Sequence, residues 1–141
     1  MDIKKYFGKS TYVMQRKSFF DKNIKVCGNL IVGNGACFWG NLSVSELLEL
    51  GKNSEIYGNV FAKEAVIGAN SLIEGDVTVE SDLTVLDGAR ITGILKCGGN
   101  VFLRPNVAAK RAEVKGDIEM HGKNAVPHIK VNGKIIAKKD R

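Results

Sequence analysis

The side chains best suited to chemistry in this chain are two histidines, His121 and His128, and three cysteines, Cys27, Cys37 and Cys97. Imidazoles and thiolates are ligands for transition metals, and a cysteine beside a histidine can yield a thiolate nucleophile. The spacing fits neither use. The histidines stand seven residues apart, no Cys-x-x-Cys or His-x-x-x-His pair occurs, and no Ser/His/Asp or Cys/His set is placed to form a nucleophilic centre. Two glycine clusters, Gly33-Asn34-Gly35 and Gly98-Gly99-Asn100, resemble phosphate-cradling loops in composition, but no helix follows either. A phosphate site needs a helix N-terminus or a nest of amides, so both clusters read as corners. The sequence therefore implies no catalytic, metal-binding or cofactor-binding residue, and the chain reads as a non-enzyme.

The elements that would have to position any site belong to one repeat. From about residue 23 to 137 a six-residue unit recurs: Gly75-Asp-Val-Thr-Val-Glu, Ser81-Asp-Leu-Thr-Val-Leu, Asp87-Gly-Ala-Arg-Ile-Thr, Gly93-Ile-Leu-Lys-Cys-Gly, Gly99-Asn-Val-Phe-Leu-Arg. The third and fifth places are apolar or small, and the fourth is mostly polar. Period-2 alternation marks a strand with one buried face, and strand-turn units at fixed spacing mark a solenoid. Three units make a coil: corner glycines recur at Gly40, Gly58, Gly75 and Gly93, then at Gly116 and Gly133, 17 or 18 residues apart. The gap of 23 from Gly93 to Gly116 is one coil plus one side. The glycine corner is therefore expected to move to the next side at Gly99, with the coil uninterrupted. The fold class expected is an all-β, single-domain, three-sided β-helix of about six to seven coils over residues 23–137, about 30 Å long at ~4.8 Å per stacked strand.

The inward register from Ile24 to Ala137 contains no charge, and its only polar members are Ser54, Ser71 and Asn124, in a chain that is 26% charged. Burial of each apolar side chain contributes roughly 1.5–3 kcal/mol, whereas an unpaired charge there costs several kcal/mol. The two prolines, Pro105 and Pro127, fall at expected corners. No apolar run is long enough to span a bilayer and no secretory signal is evident. Three irregularly spaced cysteines point to a reducing compartment, so the expected location is cytoplasmic.

Residues 1–22 lack the six-residue repeat and are rich in basic and aromatic side chains. This segment is expected to be a flexible basic tail. Lys4, Lys5, Tyr6, Phe7, Phe19 and Phe20 make it a candidate contact with an anionic membrane, which would put the protein at the inner face of the cell membrane; bases near an anionic leaflet and rings at its interface both favour binding. Capping of the first coil by Phe19 and Phe20 is the other use of those rings. A second basic tail is expected over residues 138–141. The net charge of +6 lies mostly at these termini, and the solenoid shows no continuous basic stripe for nucleic acid. The outward rings Trp39, Tyr57, Phe61 and Phe102 suit lateral contacts between rods.

A solenoid leaves unpaired strand edges and an exposed core section at each end, and monomeric ones cover them with caps. Here the first coil reads Ile24, Val26, Leu30, Ile31 and Val32, and the last reads Ile129, Val131, Ile135 and Ile136, with only four residues after Ala137. Ile24, Val26, Leu30, Ile31, Val131, Ile135 and Ile136 are thus the candidate polymerisation interface. End-to-end stacking of copies predicts a filament that needs no nucleotide.

The stretches Val26-Cys-Gly-Asn-Leu-Ile-Val32, Ile56-Tyr-Gly-Asn-Val60, Ile73-Glu-Gly-Asp-Val-Thr-Val79 and Val114-Lys-Gly-Asp-Ile118, with the late change of glycine phase, resemble the bactofilins. That resemblance covers residues 23–137. It implies a right-handed β-helix, a polymer-forming cytoskeletal scaffold, nucleotide-independent filaments and, in many members, an N-terminal membrane-targeting segment. The rival reading is a left-handed hexapeptide-repeat enzyme, an acyltransferase or a γ-class carbonic anhydrase, whose pattern Ser71-Leu-Ile-Glu-Gly75 would fit. Against it, no loop interrupts the repeat, and two histidines cannot supply three zinc ligands per site.

Overall fold

A computed structural model describes residues 10–139 of the chain and the backbone of residues 3–6. The described residues form a β-solenoid of about seven turns, without helix, whose strands run parallel with one exception. The exception is β1 (Ile3–Tyr6), which pairs antiparallel with β2 (Thr11–Met14). Three columns of strands make three sides. The first side stacks β2, β5 (Asn29–Val32), the ends of β7 (Leu42–Leu50) and β9 (Val60–Ile67), β12 (Leu83–Val85), β14 (Val101–Leu103), β16 (Ile118–His121) and β18 (Ile135–Lys138). The second stacks β3 (Phe19–Phe20), β6 (Cys37–Phe38), β8 (Glu55–Ile56), β10 (Leu72–Ile73) and the starts of β13 (Arg90–Cys97) and β15 (Ala108–Val114), ending at the bridge residue Ala125. The third stacks β4 (Ile24–Val26), the starts of β7 and β9, β11 (Val77–Val79), the ends of β13 and β15, and β17 (His128–Val131).

Each corner has its own chemistry. Between the first and second sides the chain takes a left-handed residue in successive coils: Gly35, Asn53, Asn70, Gly88 and Asn106 all have φ between 56° and 73°. Glycine has no Cβ to clash there, and asparagine is among the few other residues that tolerate the region. Between the second and third sides, an amide ladder ties coil to coil in the N-terminal half. Asn23 Oδ1 accepts from the Asn41 amide, Asn41 Oδ1 from Asn59 and Asn59 Oδ1 from Asp76, each at 2.8 Å. The glycine beside each rung is obligatory: a Cβ at Gly58 would overlap the Gly40 carbonyl and the Asn41 Oδ1. In the C-terminal half the ladder stands between the third and first sides, where Asp82, Asn100 and Asp117 accept from the amides of Asn100, Asp117 and Lys134. The long strands move the opposite way: β7 and β9 turn the third-to-first corner, whereas β13 and β15 turn the second-to-third. The change of glycine phase at Gly99 is this exchange of corners, with no break in the coil.

The core is a narrow aliphatic stack. Leu30, Leu48, Ile67, Val85 and Leu103 are among its fully buried members on the first side, and Phe38, Ile56, Ile73 and Ile91 on the second. Ser54 and Ser71 are buried as expected. Ser71 Oγ accepts from the Ser54 amide at 3.2 Å and donates to the Gly51 carbonyl at 3.1 Å, while Ser54 Oγ has no partner among the described residues. Asn124 is half-buried, and its Oδ1 accepts from the Val107 amide at 3.1 Å.

The boundary drawn at residue 23 is corrected by this structure. Thr11–Met14 pairs with Asn29–Val32, and Phe19–Phe20 with Cys37–Phe38, so the first coil begins at Thr11 and residues 11–22 are part of the solenoid. Thr11-Tyr12-Val13-Met14 alternates like the later strands, but its corner hides the repeat. Lys17 takes the left-handed place, φ 60°, that glycine or asparagine takes in the following coils, and Ser18 Oγ closes the turn on the Gln15 carbonyl at 2.6 Å. At the other end, Lys138 completes β18 and Lys139 follows it, while residues 140 and 141 lie outside the described residues.

Candidate assembly interface

Among the described residues the C-terminal coil is uncovered. Ile135 continues the inward column of Ile118, yet Ile118 is fully buried and Ile135 is 55% exposed, since no described coil lies above it. Ile129 and Val131 continue the columns of the buried Ala112 and Val114 and are themselves only half-buried. β17 and β18 each pair on one edge only among the described residues, leaving a row of amides and carbonyls without partners. Glu119 holds the last strand from one coil below. Its carboxylate accepts from His121 Nε2 at 2.6 Å and faces Lys138 Nζ at 3.6 Å. The bond from His121, then the charge of Lys138, keeps the Glu119 carboxyl below its ordinary range. This contribution is present above the unfolded pKa of the carboxyl and is lost as pH falls through the lowered value.

The N-terminal end differs. Met14, Phe20 and Val26 lie in the first coil and are nevertheless buried, at 0%, 7% and 6% exposure. The outer edge of β2 is occupied by β1, whereas β3 and β4 have no strand on their outer edges among the described residues. Two of the expected N-terminal interface residues are thus not on the end at all. Leu30 lies one coil inside the rod beneath Tyr12, and Ile31 points outward between Val13 and Glu49, 39% exposed. Val26 is covered, and Ile24 is half-buried. Ile136 likewise belongs to an outward column, over Glu119, and not to the inward one. Leu30-Ile31-Val32 and Ile135-Ile136-Ala137 are runs of three apolar residues, in which a period of 2 does not say which two face inward.

Of the residues expected to meet lipid, Phe20 is enclosed and stacks on Phe38 with ring centroids 5.1 Å apart. That is the capping geometry. Phe19 is 54% exposed and packs edge-on against Trp39 at 5.1 Å. Lys4, Lys5 and Tyr6 lie on β1, and their side chains, with all of Phe7, lie outside the described residues. No helix among the described residues is long and apolar enough to cross a membrane.

The chemistry-bearing residues are scattered. His121 lies on the first side against Phe102, and His128 is exposed on the third. Cys27 is exposed, Cys37 half-buried and Cys97 buried, with burial pushing the thiols of Cys37 and Cys97 up. No three of the histidine, cysteine, aspartate and glutamate side chains among the described residues come together as a metal site would require. A shallow groove of about 500 Å³ runs along the third side past Thr78, Lys96, Glu113 and Lys130, and charges of both signs line it. Comparison with family models, curated proteins and solved structures finds no match to this chain.

Proposed function

We propose that this chain is a polymer-forming scaffold of the bactofilin type, whose rods join through their ends into filaments without a nucleotide. The observation that carries the proposal is the open C-terminal coil: Ile135, in line with the fully buried Ile118, is 55% exposed beside unpaired strand edges. A further coil supplied by another copy would pair those edges and cover Ile129, Val131 and Ile135 together. Strand edges left in this state are templates for association. Negative-stain electron microscopy of the purified protein at physiological salt, without ATP or GTP, should show filaments. A discrete trimer at high concentration would overturn the reading and favour the hexapeptide-repeat enzyme.

We also propose that the N-terminal residues give the polymer weak, salt-sensitive binding to anionic membrane at the inner face of the cell membrane. Its support is the charge of Lys4, Lys5 and Lys9 together with the rings of Tyr6 and Phe7. Truncation has to stop before Ser10: removing residues 1–20 would also take away β2 and β3 and uncover Leu30, Val32 and Phe38. Liposomes rich in phosphatidylserine should pellet the whole chain severalfold better than a chain starting at Ser10, at ~1 kcal/mol per basic residue near the surface. Equal pelleting of the two would remove the membrane from the proposal.

A further inference from the structure

On the second side, the outward column reads Phe19, Cys37, Glu55, Leu72, Arg90, Ala108 and Ala125, one residue per coil. Seven coils put Leu72 at the centre. Acid and base stand at equal distances on either side of it, Glu55 one coil before and Arg90 one coil after. Bulk and its absence are arranged in the same way. Phe19 at one end corresponds to Ala125 at the other, and Cys37 corresponds to Ala108. At the neighbouring outward positions, Trp39, 60% exposed, corresponds to Lys110, and Glu74 stands at the centre.

We infer that two copies pair laterally and antiparallel through this second side, about a two-fold axis that runs along the strand direction at Leu72. Such an axis sets each column against itself in reverse order. Glu55 then faces Arg90 of the second copy twice over, Leu72 packs on Leu72, Trp39 lies against the Lys110 ammonium, and Phe19 covers Ala125. A cation over an indole face and an acid opposite a base are both attractive. Glu74 meets its own copy across the axis, with the Arg90 of each rod one coil away. Neither other side has this symmetry. Reversal of the third-side column sets Lys25 against Lys130 and leaves Glu113 opposite Ser43 without a base, and the charges of the first-side column, Glu49 and Glu119, are of one sign.

The inference rests on the rods being filament units, and size explains why. A face about 34 Å long and 16 Å wide buries roughly 1,000 Å² over both copies, at the weak end of specific interfaces. Repeated along two filaments, the same contact becomes multivalent and holds. The second side would thus make the filament a double one.

Negative-stain microscopy of the whole protein and of E55R, R90E and the double variant E55R/R90E gives the test. Wild type and the double variant should form filaments two rods wide, and each single variant filaments one rod wide. The dissociation constant of a pair should rise at least tenfold, roughly, for each like-charge contact created. Wild-type pairs should also separate as salt is raised, because charges at an open face are screened. Pairing that survives R90E, or a double variant no wider than the single ones, would overturn the lateral contact while leaving end-to-end assembly intact. If wild type forms no filaments, the end-to-end reading fails and the lateral one is judged by sedimentation at high concentration. Rod pairs in wild type and the double variant with single rods in R90E support it, and single rods throughout reject it.

Discussion

Val79→Asp should unfold the rod, and Thr78→Asp, one residue away, should leave it folded. The two side chains leave the same strand, β11, in opposite directions. Val79 is 1% exposed in an inward column between Ala62 and Cys97, and Thr78 lies outward between Phe61 and Lys96. A carboxylate in the Val79 place would find Ala62 and the thiol of Cys97 in its column, with no cation among them, and backbone already paired in the ladder. It would lose the transfer energy of the valine and add the cost of a buried charge, several kcal/mol together. A single domain usually has only about 5–15 kcal/mol in total. Coils of a solenoid touch only their neighbours, so a fault in the middle separates the rod into two short stacks. Val85→Asp and Leu103→Asp should act alike, since both positions are fully buried. Thr84→Asp should be tolerated as Thr78→Asp is. Arg104→Asp is a poorer control than its outward position suggests, because Arg104 Nε pairs with Asp87 at 3.1 Å and the substitution would set two carboxylates together. Circular dichroism and thermal melting would read these differences directly. Equal melting temperatures for Val79→Asp and Thr78→Asp would reject the register.

The repeat was legible because its physics is local. Alternating burial needs only a period of 2, and the corners at Gly58 and Gly99, where a Cβ would meet the coil below, are announced by glycine in the sequence alone. The ladders that those glycines accommodate were not legible, since Asn41 and Asn59 become partners only when coils stack at 18 residues. The first coil was missed for a related reason. Tyr12, Met14 and Phe20 alternate well enough, but Lys17 occupies a corner with a residue seldom found at positive φ, and the segment's aromatic and basic content resembles that of a membrane tail. Composition describes what a segment could touch, and stacking decides what it does touch.

The candidate interface was legible at one end only. Ile135 and Val131 face inward and are uncovered, whereas Ile136 of the same end stands in the outward column over Glu119. Leu30 lies inside the rod, because the coil that covers it is upstream, in the basic and aromatic segment. The columns along the second side were invisible for another reason. Glu55 and Arg90 are 35 residues apart, and nothing in either local sequence relates them until Leu72 is stacked between the two. Solenoids make surface patterns from residues one coil apart, so the signal lies in the column and not in any window of the chain.

Ile135→Lys and Val131→Arg should each abolish filaments while leaving the rod folded. Both residues stand where a following coil would lie. Folding loses little by the change, because Ile135 is already 55% exposed and Val131 only half-buried in the single rod. Assembly loses much more. A partner would have to bury a charge over Ile118 or Val114 without a counter-ion, and that desolvation cost is several kcal/mol against an apolar gain of only about 25 cal/mol per Å². A factor of about ten in affinity is lost for each 1.4 kcal/mol, so a hundredfold or greater loss of assembly is expected. Thr78→Lys, at mid-rod on the third side, should still polymerise. The form of the blocked product then identifies the contact. If like ends meet in the filament, closing the C-terminal end leaves pairs joined through β3 and β4; if unlike ends meet, it leaves single rods. Light scattering and negative-stain microscopy at matched salt separate these outcomes. Melting curves on the same samples show whether each variant has kept its fold. Filaments of wild-type length from Ile135→Lys would remove the open C-terminal coil as the basis of assembly.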